Sequence, residues 1–143
     1  MKKRSLQIIF ALLILTVAFS IVSCGNTAPD PAVWDNAVYT SDTSFGNGAI
    51  TVEVEVRVEE NTVTFTLNTD KTTLGEALIE HSLISGEVGQ YGLYVKVVNG
   101  ITADYDTDKS YWSFYKNGEY LMSGVDTTEI KNGEHYEIVY TKE

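Results

Sequence analysis

The sequence predicts an α+β domain in which a mixed sheet is crossed by one helix. Three observations carry that prediction. Residues 49–67 place apolar side chains at every second position around an acidic turn. Residues 73–83 place them at helical spacing behind a capping box. Residues 93–140 return to period two and are interrupted by Asn-Gly pairs, the dipeptide best suited to tight strand reversals.

At 143 residues the chain holds one domain once its N-terminal segment is set aside. Lys2, Lys3 and Arg4 precede an almost unbroken apolar run, Ile8 to Val22, which ends in Ser23-Cys24-Gly25. A basic start, an apolar centre and a small residue before the cut are the marks of a secretory leader. Cys24, the only cysteine, stands directly after it and so resembles the bacterial lipobox. That resemblance implies a lipoprotein signal peptide over residues 1–23, cleavage before Cys24 and acylation of its sulfur. An uncleaved membrane anchor is the alternative for the run, and a buried or reactive thiol the alternative for Cys24. No internal disulfide can form from one cysteine.

Removing Lys2, Lys3 and Arg4 leaves seven basic against 20 acidic residues, a formal charge of −13. Such a field repels nucleic acid and anionic headgroups, so neither is an expected partner. Attachment to the lipid bilayer is expected to rest on the acyl chain at Cys24. The expected location is the extracytoplasmic face of the cell envelope.

Residues 24–35 are polar and small, with Pro29 and Pro31, and cannot bury enough apolar surface to fold; they read as a tether to a domain over residues 36–143. Val38-Tyr39 reads as a short edge strand and Thr40 to Gly48 as a polar loop. Next, Ile50, Val52, Val54, Val56 and Val58 alternate with Thr51, Glu53, Glu55 and Arg57, which gives one buried and one wet face. Glu59-Glu60-Asn61 turns the chain, and Val63, Phe65 and Leu67 continue the alternation. Glu53 and Glu55 belong to the solvated face; nothing nearby completes a catalytic carboxylate pair.

Thr73-Leu74-Gly75-Glu76 is a capping box, and Leu74, Ala77, Leu78 and His81 share one helical face that Ile79 and Leu83 widen. Gly86 is placed to end this helix. His81, at the edge of the stripe, reads as half-buried packing. After a Gly-rich joint, Leu93, Val95 and Val97 alternate with Tyr94, Lys96 and Val98 before Asn99-Gly100. Asp104 to Asp108 mimics half an EF-hand loop, but Lys109 replaces the required glycine and Tyr115 the bidentate glutamate. An acidic loop without metal is expected. Trp112 and Phe114 then oppose Tyr111, Ser113 and Tyr115 before Asn117-Gly118; Tyr136, Ile138 and Tyr140 share a face after Asn132-Gly133. This order of hairpin, helix, strand and two more hairpin-like elements is β-grasp-like.

There is no P-loop, His-Glu-x-x-His, Cys/His cluster or nucleophile elbow. No catalytic residue, metal or required cofactor is expected, and the protein does not read as an enzyme.

Several segments together resemble the transcobalamin-like C-terminal domain. They are Thr73-Leu74-Gly75-Glu76-Ala77-Leu78, the stretch Gly92 to Ile101, Tyr111 to Gly118, Gly124-Val125-Asp126 and Asn132-Gly133-Glu134. In the animal transcobalamin and intrinsic factor proteins the corresponding domain closes over cobalamin from one side, and a helical barrel forms the other. The resemblance implies cobalamin or another corrinoid as a ligand, with Tyr94, Val95, Tyr111, Trp112 and Val125 as contacts. Trp112 also reads as a core anchor. No stretch of this sequence reads as such a barrel. The function expected is therefore non-catalytic ligand binding by a membrane-anchored lipoprotein; the alternative is a protein–protein or envelope-interaction module. On the leader reading, Cys24→Ala releases the protein from the membrane fraction or blocks maturation, as fractionation and mass spectrometry of the N-terminus would show. Normal processing and membrane retention of the variant would remove that reading.

Overall fold

A computed structural model describes residues 32–143. The predicted leader, Cys24 and the tether up to residue 31 lie outside the described residues. The end of the predicted tether falls within a 3₁₀ turn, Val33–Asn36, whose Val33 and Trp34 pack against the core.

Alternation in the first hairpin is carried directly into burial. Strands β2 (Ile50–Val58) and β3 (Asn61–Thr69) pair antiparallel around Glu59-Glu60, with Glu59 in the left-handed region at φ 54°. Val52, Val54, Val56, Val58, Val63, Phe65 and Leu67 are each at most 1% exposed. Burying a side chain of this size contributes about 1.5–3 kcal/mol, so this face dominates the core. On the opposite face Glu53 is exposed, and Glu55 is half-buried against Arg57, which also reaches Glu137 at 3.4 Å.

The remaining strands are β1 (Thr43–Phe45), β4 (Ile84–Gly89), β5 (Gly92–Val98), β6 (Ile101–Thr102), β7 (Ser110–Lys116), β8 (Glu119–Tyr120) and β9 (His135–Lys142). Two helices, α1 (Leu74–Glu80) and α2 (Tyr105–Asp108), complete the fold. A mixed six-stranded sheet has the order β1-β3-β2-β9-β7-β8, and a second, antiparallel sheet has the order β4-β5-β6. The architecture is mixed α+β. Its sheet is split, because β5 finds both neighbours locally: β4 precedes it and β6 returns through Asn99-Gly100, where φ is 50° and 80°. One buried cluster joins the six-stranded sheet to Leu74, Ala77 and Leu78 of α1 and to Val95, Val98 and Ile101 of the small sheet.

Several segments differ from expectation, each for a local reason. Asn117-Gly118 makes the predicted tight turn, with φ 51° and 80°. At Asn132-Gly133 only the glycine has positive φ, and no strand leads directly into it. Asn132 instead docks β9 onto β2: its side chain accepts from the Thr51 amide at 2.8 Å, and Gly133 N–H donates to Thr51 O at 2.8 Å. Strand β9 then runs parallel to β2 and antiparallel to β7. At its start Glu134 meets Lys116 and the Tyr136 hydroxyl, each at 2.6 Å. Burial pushes the Glu134 carboxyl up, but Lys116, Tyr136 and the Lys131 amide outweigh it and hold it below the usual carboxylate range.

Val38-Tyr39 is not a strand. It is clamped by Asn99, which donates to Tyr39 O at 2.8 Å and accepts from its amide at 2.9 Å. The edge strand is β1, inside the predicted loop and parallel to β3. Helix α1 stops at Glu80, well before Gly86; Ser82 turns left-handed at φ 56°, and the Ser82 and Leu83 amides donate to the Ile79 and Leu78 carbonyls. Gly86 lies in β4, where a Cβ would meet Tyr94 O at 1.9 Å. Ile79 is 51% exposed and does not widen the buried face. The acidic stretch after Asp104 forms α2, capped by the Asp104 carboxylate on the Asp106 amide.

The register of β2 is open to test. Val54→Asp places an unpaired carboxylate among Phe65, Tyr136 and the rest of the core, and should cost roughly 3 kcal/mol or more in a urea melt. Glu53→Lys, on the wet face, should change stability by no more than about 0.5 kcal/mol.

Candidate functional site

A loop after β8 hangs from the first turn of α1. The Leu74 amide donates to Thr128 O at 2.8 Å and the Gly75 amide to Val125 O at 2.8 Å. Thr73, the N-cap, accepts from the Glu76 amide through its hydroxyl, as the capping box predicts. Gly75 lets the loop approach; a Cβ there would stand 3.0 Å from the Asp126 backbone. The other end of the loop continues β8, because the Leu121 amide donates to Phe114 O at 2.8 Å. Asp126 ties it to β5 by accepting from the Leu93 amide at 3.2 Å.

Between this loop, β5 and β7 lies a cleft of about 290 Å³. Leu93, Tyr94 and Val95 form one wall, Trp112 and Phe114 the floor, and Tyr120 with Leu121 to Val125 the other wall. Among the described residues, none with a charged side chain lines it, in a chain whose formal charge is −10. Within the loop, Ser123 and Thr128 share a hydroxyl contact at 2.9 Å, and Thr128 donates to Gly124 O at 2.8 Å. Trp112 is 6% exposed, and its indole N–H is directed to Lys96 O at 3.3 Å. The tryptophan therefore offers the cleft an apolar surface without a hydrogen-bonding group. Tyr94, Tyr120 and Met122 form an exposed rim.

Four of the five expected contacts, Tyr94, Val95, Trp112 and Val125, meet at this cleft. Tyr111 does not line it. Successive residues of a strand point to opposite faces, so Tyr111 and Trp112 cannot share a side; Tyr111 packs edge-on to Tyr105 at 6.3 Å. The same alternation marks Phe114 as a cleft residue, a signal present in the sequence. Leu121 and Met122 gave no such signal, since their place depends on where the loop hangs. Among the described residues, no three His, Cys, Asp or Glu side chains converge as a metal site.

The family described as "Domain of unknown function (DUF4430)" matches residues 71–142. The chain belongs to that family. The DUF4430 match begins just before the capping box and includes every wall of the cleft. A crystal structure of a "putative metal binding protein" from Ruminococcus gnavus is similar at 30% identity and a TM-score of 0.62, over 66% of this chain and 98% of that one. Haptocorrin in complex with Cbi is similar at 23% identity and a TM-score of 0.57 over 68% of this chain. This DUF4430 chain spans only 26% of haptocorrin's length. The haptocorrin match shows a shared fold. No curated protein matches the chain.

Floor and rim should separate in stability measurements. Trp112→Ala removes a buried indole and should cost about 3–5 kcal/mol. Met122→Ala, at a side chain 91% exposed, should stay within about 0.5 kcal/mol in the same urea melts.

Proposed function

We propose that this protein is a non-catalytic binding module that takes a neutral, broad-faced small molecule of the corrinoid class against its apolar cleft. The observation that carries the reading is the absence of charged side chains from the cleft lining, in a strongly acidic chain. An uncharged cleft with aromatic walls favours a ligand with a large apolar face, because aromatic side chains supply contact area with few rotamers to freeze. Its volume is at the lower end of small-molecule sites, which suits one face or edge of a macrocycle. Support also comes from the fold shared with haptocorrin, which was solved with Cbi bound. The metal-binding description of the R. gnavus protein does not suit this cleft, which holds no carboxylate or imidazole. On this reading the β-grasp-like domain is displayed on the extracytoplasmic side of a membrane by the acylated Cys24.

A second reading has one observation in its favour. Strand β4 is a six-residue sheet edge whose last five residues are exposed, with Val88 at 84%. Such an edge accepts an added strand from a protein partner.

Titration calorimetry of the full chain in detergent, with cobalamin and with its ring-only precursor, distinguishes the two. A one-sided cleft should give about micromolar affinity, near −8 kcal/mol. Tyr94→Ala and Tyr120→Ala should each weaken binding, and Tyr111→Ala should leave it unchanged. A folded protein that gives neither heat nor spectral change at high micromolar ligand loses the corrinoid reading, and the edge-strand reading then leads.

A further inference from the structure

Asp126 does not line the apolar cleft, yet its carboxylate joins the two walls that do. We propose that Asp126 is the positioning residue of this cleft: it latches the loop after β8 to β5 and so sets how wide the cleft stands, a role that rests on the cleft's being a small-molecule site.

The loop's other anchors leave that width free. The Leu74 and Gly75 amides of α1 hold Thr128 O and Val125 O, and the Leu121 amide donates to Phe114 O of β7. These bonds fix the loop to the helix behind it and to the floor strand. Toward β5, the bond from the Leu93 amide to Asp126 Oδ2 at 3.2 Å is the one hydrogen bond among the described residues. It alone ties the wall of Leu121 to Val125 to the wall of Leu93, Tyr94 and Val95. A carboxylate suits the task, because a charge-assisted bond is stronger than a neutral one.

The seat of the carboxylate is cleared by glycines on both walls. A Cβ on Gly92, where φ is 103°, would stand 2.4 Å from Oδ2, and a Cβ on Gly124 would stand 2.6 Å from Oδ1. Neither distance is open to packed atoms, so the latch closes only with glycine at both places. Oδ1 is itself buried and has no hydrogen-bond partner among the described residues. A carboxylate oxygen left so costs free energy. A local cost of this kind marks a residue kept for the geometry it imposes rather than for the stability it adds. Without the carboxylate the loop stays bound to α1 and β7, so the domain remains folded while the walls part.

Amide hydrogen exchange, followed by NMR on the full chain in detergent, tests the latch without any ligand. In Asp126→Ala the Leu93 amide should exchange at least roughly tenfold faster, while the amides of β2 and β3 keep their parent rates. Asp126→Asn retains an acceptor of the same reach and should stay near the parent. Gly124→Ala puts a methyl group in the seat of Oδ1 and should reproduce Asp126→Ala; on the Asp126→Ala background it should add nothing, because the seat is already empty. An unchanged Leu93 amide in Asp126→Ala, or a rise shared equally by β2 and β3, overturns the proposal. Cobalamin titration separates the latch from the ligand. Asp126→Ala should bind at least roughly fivefold more weakly and Asp126→Asn as the parent does, since opening depletes the binding-competent form. Equal affinity in Asp126→Ala and the parent also overturns the proposal. A parent chain that binds no cobalamin, but whose Leu93 amide responds as expected, loses the corrinoid reading and keeps the latch.

Discussion

The apolar cleft depends on hydrogen bonds made at the start of one short helix. The amides of Leu74, Gly75 and Glu76 have no partners within α1, as at any helix N-terminus. Here the loop supplies two of those partners, Thr128 O and Val125 O, and Thr73 supplies the third. The obligation of a helix end is thus what fixes the wall of the cleft. Ile130 adds a further bond to Thr72 O, so the loop is held along its length without regular structure of its own. This is why α1, only seven residues long, controls the geometry opposite β5.

What could be read from the sequence follows from how local each signal is. The β2–β3 hairpin was legible because alternation and turn lie within 20 residues of each other. The Asn99 and Asn117 turns were legible for the same reason. Asn132-Gly133 carried the same dipeptide but a different role, since its partner is Thr51, 81 residues away along the chain. The split of the sheet was hidden likewise, because alternation in β5 shows which side chains are buried and not which strand lies beside them. Tyr94, Val95, Trp112 and Val125 converge on one cleft, whereas Tyr111 lies on the other face of its strand, as the period of two requires. Ser82 took the left-handed position expected of a glycine, and the amides it frees are absorbed by Leu78 and Ile79.

The apolar cleft has a polar counterpart, a second cleft where the β1–β2 loop, the end of β3 and the end of α1 meet. The first is uncharged and rimmed by tyrosines; the second is lined by Asn47, Asn68, Asp70, Lys71, Glu80 and His81. Helix α1 serves both, its first turn anchoring the wall of the apolar cleft and its last residues entering the polar one. Its buried face is Leu74, Gly75, Ala77 and Leu78.

The position of β9 has a consequence for the order of assembly. It is the last strand of the domain, yet it lies inside the six-stranded sheet, between β2 and β7. Until residues 135–142 have emerged during synthesis, Val54 and Val56 lack Tyr136 and Ile138 as neighbours, and the two halves of the sheet have no common strand. Long-range parallel pairing of this kind is slow to form, because loop-closure entropy is spent before any contact rewards it. A chain cut short before residue 135 would therefore leave β2 and β7 without the strand that joins them.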